Sequence, residues 1–158
     1  SKRNHLFSVI EGLRVSEPRE KTELNMLLRS IAENHAHRGM MTLISDLLTD
    51  PEETLKGLQQ LRQRGHDVLV FHILDDDELD FPFSGPTRFE GMELPQHLNC
   101  NPRALRDGYL QAMQEHLALL RRGCAGAFVD YALLRTTDPL DAALAAYLNN
   151  RLGMHHRN

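Results

Sequence analysis

Two uninterrupted apolar runs constrain the fold of this chain most. Met40-Met41-Thr42-Leu43-Ile44 leads into Ser45-Asp46, and Val68-Leu69-Val70-Phe71-His72-Ile73-Leu74 leads into Asp75-Asp76-Asp77-Glu78. Neither run alternates with polar residues in period two, so each predicts a strand buried on both faces. Strands of that kind are parallel and belong to α/β folds. Ligands of such folds bind beyond the carboxyl ends of the strands, where Asp46 is expected to sit.

Helical patterns flank the runs. Leu6, Val9, Ile10 and Leu13 follow helical spacing, so residues 4–14 predict an amphipathic helix. A polar loop holding Pro18 follows, and Thr22 caps a second helix with Leu24, Leu27, Leu28 and Ile31 on one face. Asp50-Pro51-Glu52-Glu53 starts a helix, with Asp50 as cap, Pro51 in the first turn and Glu53 as capping-box partner. Leu55, Leu58 and Leu61 form its buried stripe, and Gly65 ends it. Residues 79–98 break the alternation as an irregular insertion, with Thr87–Phe89 and Met92–Leu94 read as a short hairpin. Asn101-Pro102 opens a long helix to about Arg122, with Leu105, Tyr109, Met113, Leu117 and Leu120 inward. Val129–Leu134 is a third strand. Asp138 caps a last helix, in which Leu140, Leu144, Tyr147 and Leu148 pack. Strand–helix–strand order implies parallel pairing with right-handed crossovers in a single domain over 1–158.

Composition narrows the function classes. The net charge is −4 and no basic run exceeds two residues, which gives no footprint for nucleic acid. No apolar stretch approaches the roughly 20 residues of a membrane span, and no signal-peptide pattern is seen. Cys100 and Cys124 lack paired spacing and read as structural thiols, so a reducing, cytoplasmic setting is expected. Ser1 in place of methionine leads us to expect a piece of a longer chain.

The three strand ends carry Ser45-Asp46, Asp75-Asp76-Asp77 and Thr136-Thr137-Asp138, and parallel pairing brings them to one rim. Thr22, at a loop-to-helix junction, is expected near the same rim. Oxygen-only groups of this kind suit a hard cation such as Mg²⁺. Asp138 reads as a helix cap, and the run from Asp75 to Glu78 as a solvated loop. Asp46 has the best functional claim, because Asp50 already serves the next helix. His35-x-His37 lacks a second ligand pair at zinc spacing, the His155-His156 tail reads as frayed, and His72 reads as a satisfied core residue. Neither a nucleophile elbow nor a phosphate-cradling glycine loop occurs.

A further set of residues carries a family resemblance. Lys21-Thr22-Glu23-Leu24, Arg38-Gly39 before Ile44-Ser45-Asp46-Leu47, Gly65-His66-Asp67-Val68 and Leu74-Asp75 follow one another in order. Phe81-Pro82-Phe83, Asp107-Gly108-Tyr109 and Thr136-Thr137-Asp138-Pro139-Leu140 complete the series. The chain thereby resembles the C-terminal half of a von Willebrand factor A-like domain. More narrowly, it is similar to a bacterial MoxR-associated family, number fifty-eight in the domain-of-unknown-function series. The resemblance implies a Rossmann-like parallel sheet flanked by helices, with a metal-ion-dependent adhesion site on its carboxyl rim. Thr22 and Asp46 match the positions that help hold the ion. The principal ligands of that site come from an Asp-x-Ser-x-Ser motif, which this chain does not contain. The expectation is therefore a partial domain lacking its first strands, an incomplete metal site with no cofactor in this chain, and Mg²⁺ in the full-length protein.

Two functions follow as expectations. The first is a non-enzymatic protein-interaction module, working with a MoxR-type AAA+ ATPase in assembly or maturation of a partner complex. It is accompanied by a homodimer through the open edge of the 40–46 strand. The second is a Mg²⁺-dependent phosphohydrolase or phosphotransferase using Asp75 and Asp77, since a carboxylate pair follows an apolar strand.

Overall fold

Both apolar runs form parallel strands. The computed structural model describes residues 7–8, 10–11, 14, 24–35, 37–90 and 97–155. Helix α1 (Leu24–Asn34) is followed by β1 (Met40–Ser45), α2 (Pro51–Gln63), β2 (Asp67–Leu74) and the one-turn α3 (Asp76–Asp80). A hairpin of β3 (Thr87–Glu90) and β4 (His97–Cys100) leads to α4 (Pro102–Gly126), β5 (Asp130–Arg135) and α5 (Leu140–His155). The described positions of the first predicted helix, residues 7–8, 10–11 and 14, are helical. The hairpin's second strand is His97–Cys100. Met92–Leu94, which the sequence suggested for that strand, lies outside the described residues.

The main sheet is parallel throughout, in the order β1-β2-β5, a Rossmann-like arrangement flanked by helices. Ser45 lies opposite His72, and Phe71 opposite both Ile44 and Ala132. Side chains alternate across the pleat. Met41, Leu43, Val68, Val70 and Tyr131 therefore face the core formed with α1, α2 and α4, around Leu28, Leu58 and Leu120. The opposite face carries Leu69, Phe71 and Ala132. There α5 lays the ring of Tyr147 edge-on against Phe71, centroids 5.5 Å apart. The Tyr147 hydroxyl donates to Asp130 at 2.9 Å, and Arg151 pairs with Asp67 and Asp130.

Central β2 is buried on both faces, as its composition predicts. β1 departs from the expectation of full burial: Met40 is 57% and Ile44 66% exposed. Among the described residues no element covers that corner, because α5 sits over β2 and β5. The Asp67 N–H donates to the Gly39 carbonyl at 2.9 Å, so main-chain groups of alternate residues point toward β2. Those of Met40, Thr42 and Ile44 consequently point away, to an edge that nothing pairs with among the described residues.

The predicted start of α2 holds in part. Asp50 accepts from the Glu53 N–H at 3.0 Å, with Pro51 in the first turn. Glu53 does not close a capping box. Its carboxylate takes Lys56 at 2.7 Å and Arg29 of α1 at 3.1 Å. These two cations outcompete a backbone amide for a carboxylate within reach. Gly65 adopts φ +85° just past the helix, a conformation that favours glycine. Gly57 lets α1 approach α2, since a Cβ there would stand 2.9 Å from the Leu28 Cβ.

Several residues expected inside are outside. Leu27, Leu105, Leu140 and Leu148 are all exposed. For Leu105 the reason is length. The 25 residues of α4 run about 37 Å, whereas the 8 residues of β2 span about 26 Å. The first turns of α4 stand beyond the sheet and pack through Tyr109 on Phe81, centroids 4.5 Å apart. Phe83 and Phe89 complete that aromatic cluster.

Candidate functional site: the carboxyl rim

All three strand ends reach one rim, as parallel pairing requires. Asp46 follows β1 in a loop whose residues are fixed from within. Leu47 is 1% exposed and carries φ +51°, a left-handed conformation uncommon for a bulky residue. Its N–H donates to Ser45 Oγ at 3.1 Å, and the Leu48 N–H to Asp46 Oδ1 at 3.4 Å. Two histidines hold the loop's carbonyls. His72 Nε2 lies 2.6 Å from the Asp46 carbonyl, and His116 Nε2 lies 3.1 Å from that of Leu47. A carbonyl only accepts, so both Nε2 atoms carry protons. In the neutral His72 ring, Nδ1 then accepts from the Tyr131 hydroxyl at 2.7 Å. Both ring nitrogens of buried His72 are thus satisfied, as expected for a core histidine. Burial holds its pKa below the ordinary value, with His116 opposing a second charge.

The clamp leaves the Asp46 side chain exposed. No ion pair or hydrogen bond among the described residues ties it to another strand end; its carboxylate meets only Ser45 and the Leu48 amide. Thr22, its expected partner, lies outside the described residues. Among the described residues no group of three or more His, Cys, Asp or Glu is placed to hold a metal ion.

The acidic run after β2 is not the solvated loop its charge suggested. Asp75 caps α3 in a capping box: its side chain takes a backbone N–H in the first turn, and Glu78 reaches back to the Asp75 N–H at 2.8 Å. Asp75 Oδ1 accepts from the Asp77 N–H at 3.0 Å and Oδ2 from Thr136 Oγ1 at 2.5 Å. Asp76 accepts from Thr137 Oγ1 and from Arg135, each at 2.5 Å. The threonine bonds foremost, then the Asp77 amide and Arg135, hold both carboxyls below their usual range. The repulsion within the run is offset by β5 and the turn after it, which deliver a cation and two hydroxyls. Asp138 bonds back to the Arg135 N–H at 3.1 Å. Of the phosphotransfer pair, Asp75 therefore has both oxygens engaged, while Asp77 is exposed.

Sequence reasoning brought Asp75 and Thr136 to one rim without foreseeing their bond. It missed His116 and Tyr131 as the supports of the Asp46 loop, and no local signal marks either. Cys124 is fully buried, and burial pushes its thiol up to about 11, so it stays protonated. No helix among the described residues is long and apolar enough to cross a membrane.

No curated protein and no solved structure matches the chain. A family model described as a protein of unknown function, DUF58, matches residues 1–118, a span that takes in the Asp46 loop, the β2 acidic run and most of α4. With the match running over three-quarters of its length, the chain belongs to the DUF58 family.

Proposed function

We propose that this chain is a non-enzymatic protein-interaction module of von Willebrand factor A-like type. Its partner is a MoxR-type AAA+ ATPase, in a cytoplasmic setting, in the assembly or maturation of another complex. One observation carries the reading. Asp46 is presented to solvent by a loop fixed from beneath, while Asp75 and Asp76 are spent on structural bonds. A fixed, unpaired carboxylate serves recognition by a cationic or hydrogen-bonding partner. The ATPase itself rests on the family resemblance, as does Mg²⁺ in a fuller protein.

Binding of the purified chain to the MoxR-type ATPase of the same genome, followed by calorimetry, tests this. Asp46→Ala is expected to weaken binding about tenfold, the loss of a partly desolvated charged contact. An absence of binding would sink the partner. Mg²⁺-dependent hydrolysis of an aryl phosphate, abolished in Asp75→Asn, would replace the module with the phosphohydrolase reading.

The open edge of β1 supports a homodimer as part of the same reading. Among the described residues nothing pairs with the outward main-chain groups of Met40, Thr42 and Ile44, and the Met40 and Ile44 side chains beside them are exposed. Ile44→Lys is expected to convert a sedimenting dimer to monomer, and a wild-type chain that stays monomeric at high concentration removes the dimer.

A further inference from the structure

The other edge of the sheet is built differently. Among the described residues nothing pairs with the outer side of β5. A groove of about 790 Å³ runs along it, with residues 128–134 as floor, α4 on one side and α5 on the other. Which backbone groups face the groove follows from the ladder. The Thr136 N–H donates to the Leu74 carbonyl at 3.0 Å, so Leu134, Ala132 and Asp130 also direct their groups toward β2. Arg135, Leu133 and Tyr131 direct theirs outward. Asp138 already satisfies Arg135: its carboxylate takes the N–H at 3.1 Å and its own N–H donates to the carbonyl at 3.1 Å. The N–H and C=O of Tyr131 and Leu133 remain for an incoming chain.

The walls suit an extended segment. Ala125 on α4 and Ala146 on α5 line the groove with short side chains, which leaves room on both faces of an added strand. Phe128 stands at one end, 80% exposed on a left-handed backbone of φ +55°. That conformation closes α4 in a Schellman motif, with the Val129 N–H donating to the Cys124 carbonyl at 2.9 Å and the Phe128 N–H to that of Ala125 at 3.2 Å, which leaves the ring exposed at the mouth of the groove. The charges are selective. Asp130 and Arg151 are paired with each other, and Asp138 is spent on Arg135. Arg121, which faces Tyr131 from α4, has no hydrogen bond or ion pair among the described residues and carries the groove's uncompensated charge.

We propose that the β5 edge takes up an extended segment of a partner protein, which joins the sheet as an added strand between α4 and α5. Its side chains alternate as small or medium apolar groups, and one carboxylate meets Arg121. Main-chain pairing supplies the affinity and the alternate pockets the selectivity, as in other strand-addition complexes. The groove lies on a different edge from Asp46. It extends the interaction-module reading, and the experiments at the two places report independently.

Panning a naive library of linear phage-displayed peptides on the intact chain tests this, with the enriched peptides then synthesised with a fluorescent label. The expected winners alternate apolar residues with an Asp or Glu. Ala146→Arg, which fills the groove without touching the sheet, and Leu133→Pro, which removes an outward N–H, are each expected to weaken them by about tenfold or more. Arg121→Glu is expected to cost about tenfold. On peptide binding, the amides of Tyr131 and Leu133 gain protection from hydrogen exchange. Should Leu133→Pro fail to fold, Ala146→Arg and Arg121→Glu decide. Failure to enrich any peptide, equal binding to Ala146→Arg, or unchanged exchange at Tyr131 and Leu133 overturns the proposal. A wild-type dimer that Ala146→Arg dissociates would place a second copy in the groove, and so overturn the partner proposed.

Discussion

Truncating Leu47 to alanine is expected to lower stability by about 3 kcal/mol, a fall of about 10 °C in melting temperature for a chain of this size. Leu47 is 1% exposed and belongs to the main core, yet its backbone is left-handed. Alanine keeps that strained backbone and loses the packing. Leu47→Gly loses the same packing but relieves a left-handed cost of about 1–2 kcal/mol. The usual order, in which glycine is worse than alanine by about 0.5–1 kcal/mol, should therefore narrow or reverse. Urea denaturation of both variants decides it. A glycine variant less stable than the alanine variant by a full kilocalorie would show that the loop's conformation carries no strain.

Replacing His72 with phenylalanine is expected to cost about 2–4 kcal/mol, because it leaves the Asp46 carbonyl and the Tyr131 hydroxyl without their partner. The same substitution changes the pH dependence. In the folded chain burial keeps His72 neutral, its pKa below the ordinary 6.5. The unfolded chain takes up a proton near that ordinary value. The contribution of His72 to stability is whole above about pH 6.5. It is lost as pH falls from there toward the folded pKa, by up to about 1.4 kcal/mol per unit. The groups facing the ring are the Asp46 carbonyl, the Tyr131 hydroxyl and His116. The Asp46 carbonyl and carboxylate favour the charged ring, but burial outweighs them, so the sign stands. The difference between wild type and variant, followed from pH 8 to pH 5, should therefore shrink. A constant difference would mean that folding leaves the His72 pKa unshifted, and a growing one that the ring is charged in the fold.

Much of the architecture is written locally. The runs at β1 and β2, the Asp50-Pro51 start of α2 and Gly65 at its end depend on neighbours within a few residues, and all appear where the pattern puts them. What was illegible depends on distant partners. Glu53 looks like half of a capping box until Arg29 arrives from 24 residues away. Asp75 looks like one charge in a repelling run until Thr136 arrives from 61 residues away. His72 could be read as a satisfied core residue from its strand alone, but Tyr131, 59 residues on, could not be named. β1 reads like β2 in composition, and only the strand order β1-β2-β5 makes one an edge and the other the centre, while α5 over β2 and β5 leaves Met40 and Ile44 exposed. Asp46 was legible as an exposed carboxylate at a strand end; the histidines that fix it were not.

The length of α4 has a consequence for how the molecule yields. Phe81 is buried but lies outside the main core, in a satellite built with Phe83, Phe89 and Tyr109. One continuous helix therefore serves two hydrophobic clusters of unequal size. The smaller can open while the larger stays closed, because local opening costs less where fewer apolar contacts are lost. The hairpin is thus expected to open as a unit of its own, with both edges of the sheet left in place.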